Sequence, residues 1–255
     1  MSESQALPET LVRQPVDILG IPIDRLTMPQ TVAHITTFMV EPRLHQITTP
    51  NPEFVMTAQQ DPDFQRILNQ ADLCLPDGIG LVWASRWLGQ PIPERVPGSE
   101  LVYQLAERAA ANNWSLFLLG AAAGVAEEAG HILQTLYPGL MVAGTYAGSP
   151  DPREDMSICG RINTSQADIL YVAYGAPQQD KWIDRNRQNL DTVRVALGVG
   201  GALDFITGKA IRAPRIMQRL GLEWLYRLWR EPWRWRRMLA LPRFVLAVLR
   251  RGRNP

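Results

Sequence analysis

Short apolar runs alternate with amphipathic stretches along most of the chain, and this alternation predicts its architecture. Predicted strands cover residues 16–23, as a hairpin around Gly20, and residues 45–49, 72–75, 115–119, 140–146, 168–174 and 193–199. Predicted helices cover residues 27–39, 125–136, 152–163 and 176–189, with further helices after Asn51, from Asp61 and from Gly98 or Ser99. Strands that alternate with helices indicate an α/β fold, with a parallel sheet covered by helices on both faces.

Two of these predicted strands end in turns of the same kind. The strand at residues 45–49 runs into a proline-marked turn with Thr49 and Asn51, and the strand at residues 72–75 runs into a Pro-Asp-Gly turn with Asp77. In a parallel sheet these side chains emerge at the carboxyl edge, where open α/β sheets bind their ligands. We therefore expect the chemistry at this edge, with Asp77 as a general base. Taken alone, Pro-Asp-Gly is also a common surface turn.

Turns rich in glycine follow other predicted strands and could bring backbone N–H groups close to a phosphate. Their residues are Gly120 and Gly124, then Gly175 and Pro177 ahead of Gln179, and finally Gly198, Gly200 and Gly201. None of them matches the dinucleotide or P-loop fingerprints. Each could equally be a tight turn or an ordinary helix start. Arg95, in the proline-rich loop at residues 91–98, is either a site residue or a solvated charge.

Composition limits the class of protein and its compartment. A chain of 255 residues with 46% hydrophobic content forms one large domain or two small ones. Cys74 and Cys159 lack any CxxC or histidine partner, which is typical of buried thiols in a reducing compartment. The first twenty residues resemble no secretion signal, and no apolar window approaches the length of a membrane span. We expect a cytoplasmic protein.

Charge is distributed unevenly, although the net charge is only +1. Residues 209–255 hold 13 Lys and Arg against two acids, whereas residues 1–208 hold 13 basic and 23 acidic groups. The excess suggests an anionic partner for residues 209–255, either a membrane surface or nucleic acid. A helix predicted over residues 214–232 would gather arginines on one side and leucines and tryptophans on the other. The arginines of this helix are Arg215, Arg219, Arg227 and Arg230.

Several segments together resemble the WecG/TagA/CpsF glycosyltransferase family over roughly residues 15–250. They are Thr49-Pro-Asn-Pro-Glu, Leu75-Pro-Asp-Gly-Ile-Gly, Glu94-Arg-Val-Pro-Gly-Ser, Gly175-Ala-Pro-Gln-Gln-Asp-Lys-Trp, Gly198-Val-Gly-Gly-Ala-Leu-Asp-Phe, Arg212-Ala-Pro-Arg and Gly221-Leu-Glu-Trp-Leu-Tyr-Arg. The resemblance implies a Rossmann-like catalytic domain at residues 1–208 and a helical basic appendage at residues 209–255. It implies transfer of an N-acetylmannosamine-type sugar from a UDP donor to a polyprenyl-diphosphate-linked sugar. The transfer would invert the anomeric centre without a metal ion or other cofactor, at the inner face of the cytoplasmic membrane.

Carried over residue by residue, the resemblance gives Asp77 the role of general base. It places Thr49 and Asn51 in the sugar pocket, and it connects Arg95 and Gln179 with catalysis or with the donor diphosphate. The lipid diphosphate would be met by arginines of the appendage, among them Arg212, Arg215, Arg219, Arg227 and Arg230. The family often has Lys and Glu where this chain has Gln178 and Asp180, which weakens a role for residue 178 only.

Other functions remain as alternatives at this point. A nucleotide-binding oxidoreductase of Rossmann type lacks its GxGxxG fingerprint here. A non-catalytic nucleic-acid-binding module would suit the mixture of arginine and tryptophan, although we expect no nucleic acid as a partner. His34, His45 and His131 do not have the spacing of metal ligands, and no metal is expected. The apolar side chains of the appendage could also pack on the protein's own core or on a partner subunit in a homo-oligomer.

Overall fold

The computed structural model describes residues 13–211, 213–214, 217, 223–230, 232 and 235–252. Its centre is a six-stranded sheet in which every neighbouring pair of strands is parallel, in the order β4-β3-β8-β7-β5-β6. These strands are β3 (His45–Thr48), β4 (Leu73–Cys74), β5 (Ser115–Gly120), β6 (Met141–Tyr146), β7 (Ile169–Ala173) and β8 (Val195–Gly198). The α/β fold with a parallel sheet that the alternating pattern predicts is therefore confirmed, and it is Rossmann-like, as the family resemblance implies.

A small antiparallel hairpin precedes the sheet. It consists of β1 (Val16–Ile18) and β2 (Ile21–Ile23), joined by a turn in which Leu19 and Gly20 both have positive φ. The Gly20 N–H donates to the Asp17 carboxylate at 3.0 Å, which fixes the turn. The inward side chains of both strands are buried, so the hairpin covers one part of the sheet.

Helices cover both faces of the sheet. In chain order they are α1 (Met28–Phe38), α2 (Pro52–Ala58), α3 (Pro62–Gln70), α4 (Ile79–Trp87), α5 (Gly98–Asn112), α6 (Val125–Leu136), α7 (Asp155–Ser165), α8 (Gln178–Asn186), α9 (Ala202–Ile206), α10 (Glu223–Arg230), α11 (Trp235–Met238) and α12 (Ala240–Arg251). The helix predicted over residues 27–39 is α1, which a capping box of Thr27 and Gln30 starts, and α6 has the predicted bounds.

Alternate residues along each strand supply the two halves of the core, because successive side chains point to opposite faces. On β8, Val195 and Leu197 pack with α1, α5, α6 and α9, whereas Ala196 faces α7 and α8. A third cluster joins α2, α3 and α4 to the hairpin, and Phe244 and Val248 of α12 are buried in it. Part of the appendage therefore packs on the protein's own core, as one of the alternatives had it.

Three helix starts or ends differ from the prediction. Pro97 occupies the N-cap position of α5 and makes no side-chain cap bond, so the prediction that Gly98 or Ser99 caps this helix is wrong. Proline supplies the extended backbone needed there, and Gly98 already belongs to the helix. The segments at 152–163 and 176–189 each combine an α-helix with a 3₁₀ turn, Pro152–Glu154 ahead of α7 and Arg187–Asn189 after α8.

Candidate active site at the carboxyl edge

The turns after β3 and β4 are held together by backbone hydrogen bonds. The Leu75 N–H donates to Thr48 at 2.8 Å, and the Asp77 N–H donates to Pro50 at 2.9 Å. A Cβ added to Gly78 would lie 2.6 Å from Pro52 Cδ, so the two turns are in close contact. Because β3 and β4 are parallel neighbours, the structure brings the backbone of Asp77 beside the turn that carries Asn51, as the sequence predicts.

Asn51 and Thr49 are both fixed by their surroundings. The Asn51 Oδ1 accepts the Phe54 N–H at 3.0 Å and caps α2. This cap occupies the amide oxygen, which makes the side-chain NH₂ the group that can donate to a ligand. Thr49 is buried, and a Cβ on Gly98 would lie 2.9 Å from its hydroxyl oxygen. The start of α5 therefore needs glycine at position 98 to approach Thr49.

Arg95 belongs to the same group of turns. The Val96 N–H donates to the Pro76 carbonyl at 2.8 Å, which fixes the proline-rich loop beside the residue preceding Asp77. The Arg95 guanidinium is mostly buried and lies 3.9 Å from the Glu100 carboxylate on α5. An arginine thus sits in the loop that adjoins the predicted base.

Gln179 lies one strand further along, against the turn that follows β8. Its side chain is 2% exposed, and its Oε1 accepts the Gly200 N–H at 2.9 Å. A Cβ on Gly198 would come within 2.5 Å of Gln179 Nε2, so the glycine leaves room for this amide. Gly200 has a φ of +51°, and Gly201 follows it as the N-cap of α9. The predicted glycine turn and the predicted glutamine are thus packed against each other.

A second group of glycine turns lies between β5 and β7. The chain leaves β5 outward to β6 but leaves β7 toward β8, so adjacent connections run in opposite directions. Such a switch point is where open parallel sheets form their ligand crevice. Gly120 has a φ of +98°, and a Cβ on it would lie 2.8 Å from the backbone of Ala173. The other predicted residues of this group are Gly124 at the start of α6, and Gly175 and Pro177 ahead of α8.

The burial of Asp180 was not predicted from the sequence. Asp180 lies in the first turn of α8 and is 1% exposed, and within the described part of the chain neither of its carboxylate oxygens has a hydrogen-bond partner. Burial raises the pKa of Asp180 to about 7. Its own backbone carbonyl accepts the Gln46 side-chain amide at 3.0 Å, which anchors this turn of α8 to β3. An acid in the first turn of a helix normally suggests an exposed group that complements the helix dipole. The sequence pattern therefore did not indicate that Asp180 is buried.

The predicted lipid-binding arginines are only partly described. Arg212, Arg215 and Arg219 lie outside the described residues, as does the side chain of Arg227, whereas Arg230 is exposed at the end of α10. Of the helix predicted over residues 214–232, the structure describes residues 214, 217, 223–230 and 232, and α10 lies within this span. Among the described parts of the appendage, Arg237 forms an ion pair with Glu53, two residues after Asn51. No signal in the sequence pointed to this pair.

Two open cavities lie away from these turns. One of about 570 Å³ runs between β6 and α7 and includes Tyr146 and Arg161, and another of about 520 Å³ lies beside the end of α8. The Arg161 guanidinium lies 4.6 Å from the centre of the Tyr146 ring, so this pair closes one side of the larger cavity. Neither cavity contains a residue that the sequence analysis selected. The carboxyl edge is the candidate site because of its side-chain chemistry.

Within the part of the chain that the structure describes, no three His, Cys, Asp or Glu side chains cluster as they would around a metal ion. Metal independence remains a prediction. None of the described helices is both long enough and apolar enough to cross a membrane.

Fold and site together define a Rossmann-like α/β enzyme, with a carboxylate, an arginine and two groups of glycine turns at the carboxyl edge of its sheet. The family model for the glycosyl transferase WecG/TagA/CpsF family matches residues 16–255, and the chain belongs to that family. It is therefore an enzyme, a hexosyltransferase. This excludes the non-catalytic module and the oxidoreductase, the two alternatives to a glycosyltransferase.

Two relatives are similar over nearly the whole chain, and both are named N-acetylglucosaminyldiphosphoundecaprenol N-acetyl-beta-D-mannosaminyltransferase. The protein from Bacillus spizizenii is 38% identical over 224 residues, which cover 87% of this chain and 86% of the relative. The protein from Staphylococcus aureus is 36% identical over 241 residues, 94% of each chain.

Proposed function

We propose that this enzyme transfers an N-acetylmannosamine-type sugar from a UDP donor to a sugar carried on polyprenyl diphosphate. The product would feed the synthesis of a cell-wall or other surface polysaccharide. The names of the two relatives support the sugar and the lipid carrier. The observation that carries the proposal is the hydrogen bond from the Asp77 N–H to Pro50, which holds a carboxylate-bearing turn beside Thr49 and Asn51.

In the proposed reaction the Asp77 carboxylate takes the proton from a hydroxyl of the acceptor sugar. The hydroxyl oxygen attacks the anomeric carbon of the donor while the bond to the UDP oxygen breaks, and UDP leaves with the bonding electrons. A single displacement of this kind inverts the anomeric centre. The base must come within about 2.6–3.2 Å of the hydroxyl that it deprotonates. Thr49 and the amide of Asn51 would orient the sugar.

The departing UDP needs stabilisation of its negative charge. Backbone N–H groups of the turns at Gly120 to Gly124 and at Gly175 lie at the switch point of the sheet, where a nucleotide would bind. Arg95, in the loop beside Asp77, would add a positive charge. Donors fixed in advance are effective because they need no reorganisation as charge develops. No metal ion is required in this scheme.

The acceptor lipid places the reaction at a membrane, and we propose the inner face of the cytoplasmic membrane. The appendage supports this because residues 209–255 carry 13 basic and two acidic residues. Each basic side chain near an anionic leaflet contributes about 1 kcal/mol, so several of them suffice for reversible binding. Some of these arginines, Arg230 among them, would contact the lipid diphosphate.

The test is a panel of UDP-sugars offered to the purified enzyme with a diphosphate-lipid acceptor, in the presence of EDTA. Mass spectrometry of the lipid product should show one added N-acetylhexosamine, and NMR coupling constants should identify the sugar and a β linkage. A product formed only after addition of a divalent cation would contradict the metal-free mechanism. An α linkage would contradict single displacement. The absence of product with every UDP donor would overturn the donor assignment.

A further inference from the structure

An exposed stripe of large apolar side chains runs along α4, which begins directly after the turn of Asp77. Ile79, Trp83 and Trp87 are four residues apart, and with Arg86 they fall within about 100° of the helix circumference. The opposite side of α4 is buried in the core. Trp83 is 39% exposed, and its ring stacks on that of Trp87 with centroids 6.3 Å apart. The stripe is therefore an ordered aromatic surface.

A second exposed apolar stripe lies on α12, beside the first. The buried side chains Phe244 and Val248 hold this helix on α2 and α4, and a Cβ on Gly80 would lie 3.8 Å from the Phe244 ring. Gly80 borders the exposed arc of α4, which places α12 next to the tryptophans. The side chains that α12 exposes include three large apolar ones, Val245, Leu246 and Leu249. Leu246 is the most exposed of them, at 53%.

The two helices themselves carry only positive charges. Neither α4 nor α12 contains an aspartate or glutamate, while Arg86, Arg243, Arg250 and Arg251 lie on them. Two acids on neighbouring elements are already paired, Asp17 with Arg251 and Glu53 with Arg237. Tryptophan and arginine around aliphatic side chains are the combination that settles at the boundary between lipid headgroups and acyl chains.

We propose that α4 and α12 together form a face that docks on an anionic lipid bilayer, with Trp83 and Leu246 among the headgroups. The inference extends the proposed function and rests on it for the lipid-borne acceptor. It assigns membrane contact to the catalytic domain as well as to the appendage. Helix α4 starts at Ile79, two residues after Asp77. Docking through this face therefore brings the carboxyl edge of the sheet to the membrane surface. The sugar carried on a diphosphate that is anchored in the leaflet then reaches the base while the diphosphate stays in the headgroup layer.

The test uses the purified full-length protein and vesicles of phosphatidylcholine with or without phosphatidylglycerol. The variants Trp83→Ser and Leu246→Ser, alone and combined, are compared with Met156→Ser, which removes an exposed apolar side chain from α7. We expect wild type and Met156→Ser to float with the anionic vesicles. The double variant should lose at least about tenfold in bound fraction while keeping its thermal midpoint. Arg86→Glu should weaken binding to anionic vesicles more than Arg108→Glu, on α5, does.

Three results with vesicles would overturn the proposal. They are unchanged flotation of the double variant, equal loss with Met156→Ser, and equal binding to neutral and anionic vesicles. A wild-type dimer in sedimentation that Trp83→Ser abolishes would assign the face to a second copy instead. Turnover with a water-soluble short-chain acceptor separates this proposal from the proposed function. If the double variant retains that turnover but not flotation, both stand. If no variant turns over but flotation depends on Trp83, only the reaction assignment fails.

Discussion

Carboxylates at the amino edge of the central sheet, where the strands begin, are hydrogen-bonded differently from those at its carboxyl edge, where the strands end. At the amino edge, the Asp72 carboxylate accepts from Arg43 at 2.6 Å and from the Gln46 N–H at 2.9 Å, and it lies 3.2 Å from His45 Nδ1. On the same edge, Asp168 accepts from the N–H and the hydroxyl of Ser115. At the carboxyl edge, the buried carboxylate of Asp180 has no hydrogen-bond partner among the residues that the structure describes.

We expect this difference to separate charges that stabilise the fold from groups that serve a ligand. Hydrogen-bonded carboxylates at the amino edge tie the starts of neighbouring strands together and leave little capacity for chemistry. A buried polar group left without a hydrogen bond is costly, and a functional role is one of the explanations for keeping it. The comparison predicts that equivalent substitutions at the two edges change different properties.

The largest effect is expected for Asp77→Asn. Loss of a general base lowers turnover by about 10²–10⁴-fold, while UDP affinity measured by calorimetry and the thermal midpoint should stay near wild type. The matched variant at the other edge, Asp72→Asn, should retain turnover. Sugar transfer by Asp77→Asn at the wild-type rate would remove Asp77 from the role of base.

The next effect concerns Asp180→Asn and the pH dependence of stability. The pKa of Asp180 is raised to about 7 in the folded protein, above its ordinary value of about 3.9. The folded state therefore holds this proton more tightly, and the free energy of unfolding falls as pH rises from about 4 to about 7. In Asp180→Asn this pH dependence is absent. The free energy of unfolding of the variant, relative to that of wild type, should therefore rise by roughly 2–4 kcal/mol from pH 4 to pH 8. Urea denaturation at both pH values measures it, and an unchanged slope would place the titration elsewhere.

A smaller effect, and in the opposite direction, is expected for the stability of Asp72→Asn. Burial opposes ionisation, but hydrogen bonds from His45, Arg43 and the Gln46 N–H hold the pKa of Asp72 well below its usual range. Such a group stabilises the fold above its unfolded pKa, and the contribution is lost as pH falls through the acid range. The variant should lose about 2 kcal/mol at pH 7 and less than that below about pH 4. If turnover fell while stability did not, the division between the two edges would be wrong.

The smallest effect is expected for Gly198→Ala. The new methyl group would come within 2.5 Å of Gln179 Nε2, so it would displace this amide and break its bond to the Gly200 N–H. We expect about a tenfold loss in kcat/KM, about the size of one hydrogen bond. Gly160→Ala, on α7 where nothing lies within 4 Å, is the control. Equal activity of the two variants would mean that Gln179 only fills space.

Local pattern accounts for most of the fold. The bounds of α6 and the order of strands and helices follow from hydrophobic spacing, and Thr27, Asp61 and the Leu19–Gly20 turn follow from capping and turn chemistry. The juxtaposition of Asp77 with Asn51 could also be predicted, because parallel neighbours end at one edge. Their chemical roles stay predictions.

Other features depend on contacts between distant segments and could not be predicted. Burial of Asp180 results from the packing of α8 against β3, and the Arg237–Glu53 pair joins residues 184 positions apart. The N-cap at Pro97 follows from the close approach of Gly98 to Thr49. None of these leaves a periodic signal, since each arises only when the sheet assembles.

The burial of Phe244 and Val248 in the core affects how the appendage of this enzyme can be studied by truncation. These side chains complete the cluster that contains Val55, Leu81 and the hairpin, so truncation before residue 240 would expose an apolar surface beside the turns of the candidate site. A shortened protein would then tend to self-associate, and its inactivity would say little about lipid contact. Point substitutions on the exposed side of α12 leave these buried contacts intact. They are therefore a better test of the appendage than truncation.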